Sequence, residues 1–227
     1  MTSPQNPPIS SRKQPKQARS TELVAAILEA ATQVLAKEGA ARFTTARVAE
    51  RAGVSVGSVY QYFPNKAAIL FRLQSEEWQQ TKDMLNTILA DSAYPPLDRV
   101  RRLVHAFIQS ECDEADMRVA LDDAAPLYRD APEARTAKAS GHRAFHAFIK
   151  DLLPSADEAV LNTTVSLILD TMSGVGKDFS SSPRTGEDIT VFSDAMADMF
   201  CAYLRELQTR YGARVVSAKG GAPKRRL

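Results

Sequence analysis

"AGVSVGSVYQYFPNKAAIL", residues 52–70, contains a short helical pattern that begins just after a turn and ends at a proline. A second short pattern precedes it, from about Thr44 to Ala52, and the two are separated by Gly53, Val54 and Ser55. Gly53 supplies a residue that adopts positive φ readily, as a tight turn between helices requires. Two short helices joined in this way predict a helix-turn-helix motif.

The two short helices divide their residues between an apolar face and an exposed face. The positions predicted to pack them together are Val48, Ala49, Val54, Val59 and Phe63. The exposed face of the second helix is then left with Val56, Gly57, Ser58, Tyr60, Gln61 and Tyr62. A glycine within a helix costs about 1 kcal/mol relative to alanine, so Gly57 favours the close approach of another surface. The major groove of DNA is such a surface.

Lys66 stands where a further helix is predicted to begin, although a helix N-terminus ordinarily favours acidic side chains. Asn65 can cap this helix, and its free N–H groups together with the Lys66 ammonium would bind a DNA phosphate. Tyr60 and Tyr62 can donate phenolic hydrogen bonds to phosphates, and Thr45 offers a hydroxyl at the start of the preceding helix. The alternative interpretation is a structural helical hairpin with surface tyrosines.

The longer segment "FTTARVAERAGVSVGSVYQYFPNKAAIL" closely resembles the N-terminal domain of the tetracycline-repressor (TetR) family of bacterial transcriptional regulators. The family pattern includes [IVL]-A-x-x-A-G-V-[ST], followed by G-[ST]-[LIV]-Y-x-[YH]-F-x-x-K, and these elements are all present between Thr45 and Lys66. The resemblance covers about the first 70 residues. It implies a homodimer that binds a palindromic operator, usually as a repressor, and is released by a small-molecule ligand.

Carried over residue by residue, the resemblance also implies which side chains face DNA. Sequence preference is expected at the variable positions of the pattern, Val56 and Gln61. The other residues implied to face DNA are Thr45, Ser55, Gly57, Ser58, Tyr60, Tyr62 and Lys66.

Outside this segment the spacing of apolar residues predicts further helices, without strand alternation or internal repeats. The whole sequence therefore predicts an all-α protein of about nine helices. A disordered basic arm is expected over residues 1–19, because Pro, Gln and Ser dominate there. The helix-turn-helix domain is expected over 20–66 and a larger helical ligand-binding and dimerisation domain over 67–211. A disordered basic tail is expected over 212–227.

Charge is distributed unevenly along a chain whose net charge is only +2. Residues 1–66 hold nine Lys/Arg against four Asp/Glu, residues 67–204 hold 13 against 22, and residues 205–227 hold seven against one. A basic segment ahead of an acidic body is typical of contact with a polyanion, although a solubilising arm explains it equally well. A flexible arm would bring Arg12 to Arg19 to phosphates or to the minor groove.

A ligand cavity is expected among the middle helices, as the resemblance implies. Its candidate lining residues are apolar or isolated polar groups on inward faces, although such residues more often belong to an ordinary core. These residues are Trp78, Phe107, Met117, Leu121, Tyr128, Phe145, Asp170 and Met172.

His142 and His146 are four residues apart and share a helical face. Completion of a metal site by Asp122, Asp123 or His105 is the less favoured interpretation, and no metal is predicted. Arg143 could instead bind a carboxylate ligand.

The last two helices are predicted to form the dimer contact, with packing inside one subunit as the alternative. Small residues such as those of "TMSGVG" let helices approach closely. The apolar residues offered by the two helices are Leu161, Val165, Ile168, Leu169 and Met172, then Phe192, Met196, Met199, Phe200, Tyr203 and Leu204.

The sequence contains no phosphate-binding glycine loop, no G-x-S-x-G and no paired-cysteine motif. We therefore expect neither an enzyme nor a cofactor. Two cysteines, the lack of a signal-peptide pattern and the lack of long apolar runs predict a cytoplasmic protein without membrane spans. The rival hypothesis is an all-helical small-molecule or metal sensor in which DNA binding is secondary. The effector, the operator and the regulated genes are not predicted.

Overall fold

The computed structural model describes residues 8–12, 18–134 and 142–212, and this part of the chain is helical without strands. The prediction of an all-α fold is confirmed. The helices are α1 (Ala18–Arg42), α2 (Thr45–Arg51), α3 (Val56–Tyr62), α4 (Lys66–Ala90), α5 (Pro96–Asp113), α6 (Ala115–Ala124), α7 (His142–Leu152), α8 (Glu158–Ser180) and α9 (Gly186–Tyr211).

The helix-turn-helix formed by α2 and α3 is built from local capping interactions. The Thr44 hydroxyl accepts a hydrogen bond from the backbone N–H of Arg47 at the start of α2, and the Ser55 hydroxyl accepts one from Ser58 at the start of α3. Gly53 lies between them with φ of 67°, a conformation that favours glycine. The predicted turn is therefore confirmed, including the role of its glycine.

A first core joins the helix-turn-helix to α1, to the N-terminal half of α4 and to α6. The apolar residues predicted to pack α2 and α3 are buried or partly buried in this core, which confirms that prediction. The first core does not end at residue 66, where the sequence predicted a domain boundary, because α6 packs against α1. Its large fully buried side chains are Ile27, Leu35, Phe43, Phe63, Ile69, Leu70 and Leu121.

A second core is formed by α5, α7, α8 and α9, together with the C-terminal end of α4. Most of the residues predicted for the dimer contact lie inside it, because α5 and α7 cover them within one subunit. That assignment is wrong for Leu161, Val165, Ile168, Met172, Met196, Phe200 and Leu204, which are buried, and Leu169, Phe192 and Tyr203 are partly buried against the same core. Met199 alone of the eleven is exposed.

Disorder of the N-terminal arm stays a prediction, although residues 8–12 pack against the first core. The physical reason is Ile9, whose apolar side chain is 2% exposed. Residues 1–7 and 13–17 of the predicted arm, and residues 213–227 of the predicted tail, lie outside the described residues.

None of the described helices combines the length and the apolar character that crossing a lipid bilayer requires.

Candidate nucleic-acid interface

The exposed side of α3 presents a small polar surface, which we call the recognition face. It consists of Ser55, Val56, Gly57, Tyr60 and Gln61, all exposed, with Ser58 half-buried at its edge. Tyr60 is 42% exposed, so much of its side chain is accessible from solvent. The opposite side of α3 is held in the first core by Val59.

Gly57 has no structural justification within the subunit. A Cβ added at this position would meet only the Ser55 Oγ, at 3.7 Å, which is an ordinary contact. Its φ is not positive, in contrast to Gly39 and Gly53. Alanine would therefore fit and would favour the helix, so the missing side chain leaves room for something outside the subunit.

Tyr62 and Thr45, two of the residues predicted to face DNA, do not lie on the recognition face. Tyr62 is 6% exposed and Thr45 is 8% exposed, and Tyr62 belongs to the first core. The sequence does predict that Tyr62 is buried, because Val59, Tyr62 and Phe63 recur at the spacing of one helical face. The expectation that these two side chains are exposed is wrong, and their contact with DNA stays a prediction.

Lys66 is the first residue of α4, as the sequence predicted. The Asn65 side-chain oxygen caps the helix by accepting a hydrogen bond from the Ala68 N–H at 2.9 Å. The first turn of α4 contains no acidic residue, and no carboxylate of the described residues pairs with the Lys66 ammonium. By contrast, Arg47 on α2 pairs with Glu38 of α1. Lys66 and the helix N-terminus therefore form a positively charged position available to an anion.

The eight predicted ligand-lining residues do not surround one cavity. Met117, Leu121 and Tyr128 pack in or against the first core, whereas Phe107, Phe145 and Met172 are buried in the second core. Asp170 is exposed on α8 and lines an open groove with Thr163, Leu167 and Thr171. Trp78 is half-buried and belongs to neither core.

The junction between the two cores contains a cluster of charged side chains that sequence reasoning missed. Arg118 of α6 contacts Glu77 of α4 at 2.8 Å, Glu111 of α5, and Glu114 at 3.2 Å. The side chains of Glu111 and Glu77 are only 7% and 10% exposed. We call these four residues the Arg118 cluster, and it ties α4, α5 and α6 together. The sequence does not indicate this cluster, because it does not show which acidic residues come together in the fold.

Burial affects the pKa values of the carboxylates in the Arg118 cluster. Desolvation raises the pKa of Glu77 and of Glu111 above the ordinary range, and the Arg118 guanidinium opposes that rise. Glu77 also accepts a hydrogen bond from Gln74 at 2.8 Å. The Tyr128 hydroxyl donates a hydrogen bond to the Gln74 side-chain oxygen at 3.2 Å, and burial raises the pKa of Tyr128. The cluster thus brings three carboxylates against one guanidinium.

Among the described residues, each of two histidine side chains lies beside a carboxylate and not in a metal site. His146 Nε2 lies 3.2 Å from Glu158, and His105 Nε2 lies 3.0 Å from Asp194. Across residues 8–12, 18–134 and 142–212, no three His, Cys, Asp or Glu side chains are grouped as a metal ion would require. The side chain of His142 is outside the described part.

A second surface without an internal partner lies on the last two helices. Leu167 and Val175 of α8 and Val191 and Met199 of α9 are large apolar side chains exposed to solvent. We call these four residues the apolar stripe. Val191, Ala195 and Met199 recur every four residues along α9 and are all exposed, so they share one face of the helix.

Two protein-family models match the chain, one in its N-terminal part and one in its C-terminal part. The model for bacterial regulatory proteins of the tetR family matches residues 27–73, and the model for the tetracyclin repressor-like C-terminal domain matches residues 95–207. Together the two models match more than half of the chain.

Two curated relatives match part of the chain. The nucleoid occlusion factor SlmA of Vibrio campbellii is 36% identical over 83 residues, which are 36% of this chain and 42% of that protein. The regulator TtgR of Pseudomonas putida is 32% identical over 93 residues, which are 41% of this chain and 43% of that protein. These matches span less than half the length of either relative.

Two solved structures cover most of the chain. The fatty acid degradation regulator FadR of Bacillus halodurans has a TM-score of 0.59 at 19% identity, over 85% of this chain and 99% of its own. FadR of Bacillus subtilis, solved with stearoyl-CoA, has a TM-score of 0.61 at 16% identity, over 79% of this chain and 98% of its own. At these identities the likeness shows a shared fold.

Proposed function

The chain belongs to the TetR family of bacterial regulatory proteins, and from that premise we propose that it is a cytoplasmic, homodimeric transcriptional regulator that binds operator DNA through the recognition face. The observation that supports this most directly is Gly57, an exposed helical glycine for which the subunit itself gives no reason. Lys66 at the N-terminus of α4 supplies the phosphate contact, and Val56 and Gln61 supply the base contacts. Repression is the expected mode of regulation.

Substitution of Gly57 with alanine is expected to stabilise the protein and to weaken operator binding. Alanine gains about 1 kcal/mol within a helix, whereas a methyl group inserted into a close-packed interface costs about 1–3 kcal/mol. We expect a small rise in Tm together with a loss of affinity of about tenfold or more. Thermal denaturation and gel shifts on an operator selected from random DNA measure the two effects.

Gly186→Ala is the control for Gly57→Ala, because Gly186 is exposed at the start of α9 and no neighbouring atom lies within 4 Å of the position that a Cβ would take. It is expected to leave DNA affinity unchanged. If Gly57→Ala binds DNA as tightly as the unsubstituted protein, α3 does not approach DNA closely. If the unsubstituted protein binds no duplex even in dilute buffer, the rival hypothesis of a sensor without DNA binding is favoured.

Lys66→Ala is expected to weaken binding to all DNA sequences alike. A single phosphate contact contributes about 0.9 to the slope of log affinity against log salt concentration. We therefore expect that slope to fall by about 1, with sequence preference unchanged. Lys150→Ala, which removes an exposed lysine from α7 of the second core, serves as the control. An unaltered salt slope for Lys66→Ala would contradict its role.

The homodimer is proposed to form through the apolar stripe of α8 and α9. Val191, Ala195 and Met199 form one exposed apolar face of α9, and exposed apolar patches mark interaction sites on soluble proteins. A two-fold contact buries the same stripe of both subunits and presents two copies of α3 to the two halves of a palindrome.

The effector is proposed to bind at the junction between the two cores, beside the Arg118 cluster. Trp78 follows Glu77 on α4 and Met117 precedes Arg118 on α6, and both side chains are half-buried, whereas Leu121, Phe145 and Met172 are core residues. A ligand at this junction, halfway along α4, shifts α4 relative to α6, and α4 carries Lys66 at its N-terminus. Trp78 is the single tryptophan of the chain, so its fluorescence is the direct probe for screening candidate effectors.

A further inference from the structure

Residues 8–12, which we call the N-terminal strap, are anchored on the DNA-binding end of the protein. Ile9 is the anchor, because its side chain is buried in the first core. The strap is thereby fixed across the C-terminal end of α3 and the start of α4, instead of extending freely into solvent.

Hydrogen bonds hold both ends of the N-terminal strap. The Asn65 side-chain amide donates to the carbonyl oxygen of Pro8 at 3.0 Å, and the Arg12 backbone N–H donates to the carbonyl oxygen of Tyr62 at 2.8 Å. In the middle, the Ser10 hydroxyl donates to Glu133 at 3.0 Å. Asn65 therefore caps α4 with its oxygen and holds the strap with its nitrogen.

This arrangement places the Arg12 guanidinium beside the recognition face. Its Nη1 lies 3.5 Å from the carbonyl oxygen of Tyr60, whose ring is exposed. Arg12 itself is exposed, and no carboxylate of the described residues pairs with it. Lys66 and Arg12 thus supply two cations beyond the C-terminal end of α3.

We propose that Arg12 is a DNA-contacting residue, held in position by the burial of Ile9. The inference rests on the proposed DNA binding and adds a phosphate contact from outside the helix-turn-helix. A guanidinium is well suited to this contact because it forms two parallel hydrogen bonds to a phosphate. Anchoring also reduces the conformational entropy that a free arm loses when it binds.

A purely structural role for Arg12 is the competing explanation, since a cation near the last carbonyl groups of a helix stabilises that helix. The two roles differ in what they change. A helix-capping arginine affects thermal stability, whereas a phosphate-binding arginine affects the salt dependence of DNA binding.

The experiment is a double-mutant cycle on the full chain, with Arg12→Gln, Ile9→Ser, the double variant and Ile9→Val. Affinity for a selected operator is measured by gel shift over a series of salt concentrations, and folding is checked by thermal denaturation. Arg12→Gln is expected to lose about tenfold in affinity at low salt and about 1 in salt slope. Ile9→Ser is expected to show the same losses, with no further loss in the double variant. Ile9→Val, which keeps the apolar anchor, is expected to retain full affinity.

Two results would overturn the inference while leaving the proposed DNA binding intact. The first is an Arg12→Gln variant with unchanged affinity and salt slope, which would assign Arg12 a structural role. The second is additive losses for Ile9→Ser and Arg12→Gln, which would show that Ile9 does not position Arg12. Failure of the unsubstituted protein to bind any duplex is a different result, and it rejects the proposed function itself.

Discussion

Replacement of Arg118 with methionine is expected to lower the free energy of unfolding by about 3–5 kcal/mol at neutral pH. Removal of one partner from a buried ion pair leaves an uncompensated buried charge, and losses of this size follow. Here the substitution leaves Glu77 and Glu111 facing each other, since both contact the guanidinium and both are almost fully buried. Urea denaturation at a fixed protein concentration measures the loss.

The loss caused by Arg118→Met is expected to depend on pH, with a sign that follows from the raised pKa values of the two glutamates. Without Arg118 these pKa values rise further, so the folded state holds protons that the unfolded state releases. Below the unfolded pKa of about 4.3 both states are protonated and the penalty is small. Stability is then lost as the pH rises toward the folded pKa values. The difference between the variant and the unsubstituted protein is therefore expected to be smaller at pH 4.5 than at pH 7.

Arg101→Met is the matched control, because it also removes an arginine that pairs with more than one carboxylate. Its partners, Asp194 and Asp198, are exposed on α9, and exposed ion pairs contribute about 1 kcal/mol or less. The control is expected to show a small loss with little pH dependence. Equal losses for the two variants would mean that the Arg118 cluster is accessible to water and does not act as a buried junction.

The helix-turn-helix could be predicted from sequence because its determinants are local. Gly53 at positive φ, the hydroxyl caps and the spacing of Val48, Val59 and Phe63 all act within a few residues. Tyr62 is nevertheless predicted on the wrong side of α3, since its hydroxyl groups it with the polar face although the helical spacing places it with Val59.

Contacts between distant segments could not be predicted in the same way. Glu77, Glu111 and Arg118 lie on three helices, and each has other charged residues nearby in sequence, so periodicity does not select this combination. The N-terminal strap was missed because its composition is that of a disordered segment, and a single apolar residue, Ile9, provides the anchor. In both places burial was decided by the packing of helices around the site.

The predicted dimer contact was assigned to the wrong residues because α9 is apolar on two faces. The larger side chains predicted for this contact include Phe200 and Leu204, and both fill the second core instead. The four-residue spacing of Val191, Ala195 and Met199 indicates the other apolar face of α9. A helix whose second apolar face has no partner within the subunit exposes that face to a second copy or to another protein.

Val191→Asp is accordingly expected to convert the protein to a monomer and to abolish high-affinity operator binding. Val191 is 63% exposed within the subunit, so the substitution leaves the monomer fold intact. A two-fold contact contains each substituted position twice, and an unpaired charge buried in an interface costs several kcal/mol. We expect the dimer dissociation constant to rise at least about 100-fold. Sedimentation measures it, and gel shifts compare a full palindrome with a half-site.

Val119→Asp controls for the chemical change, because Val119 is 54% exposed on α6 and lies outside the apolar stripe. It is expected to remain dimeric. The ratio of palindrome to half-site affinity distinguishes a dimer from a monomer. A monomer loses the cooperative gain of two linked recognition helices but keeps the contacts of one. Val191→Asp should therefore bind a half-site as the unsubstituted protein does. A Val191→Asp variant that stays dimeric would exclude this part of α9 from the subunit contact.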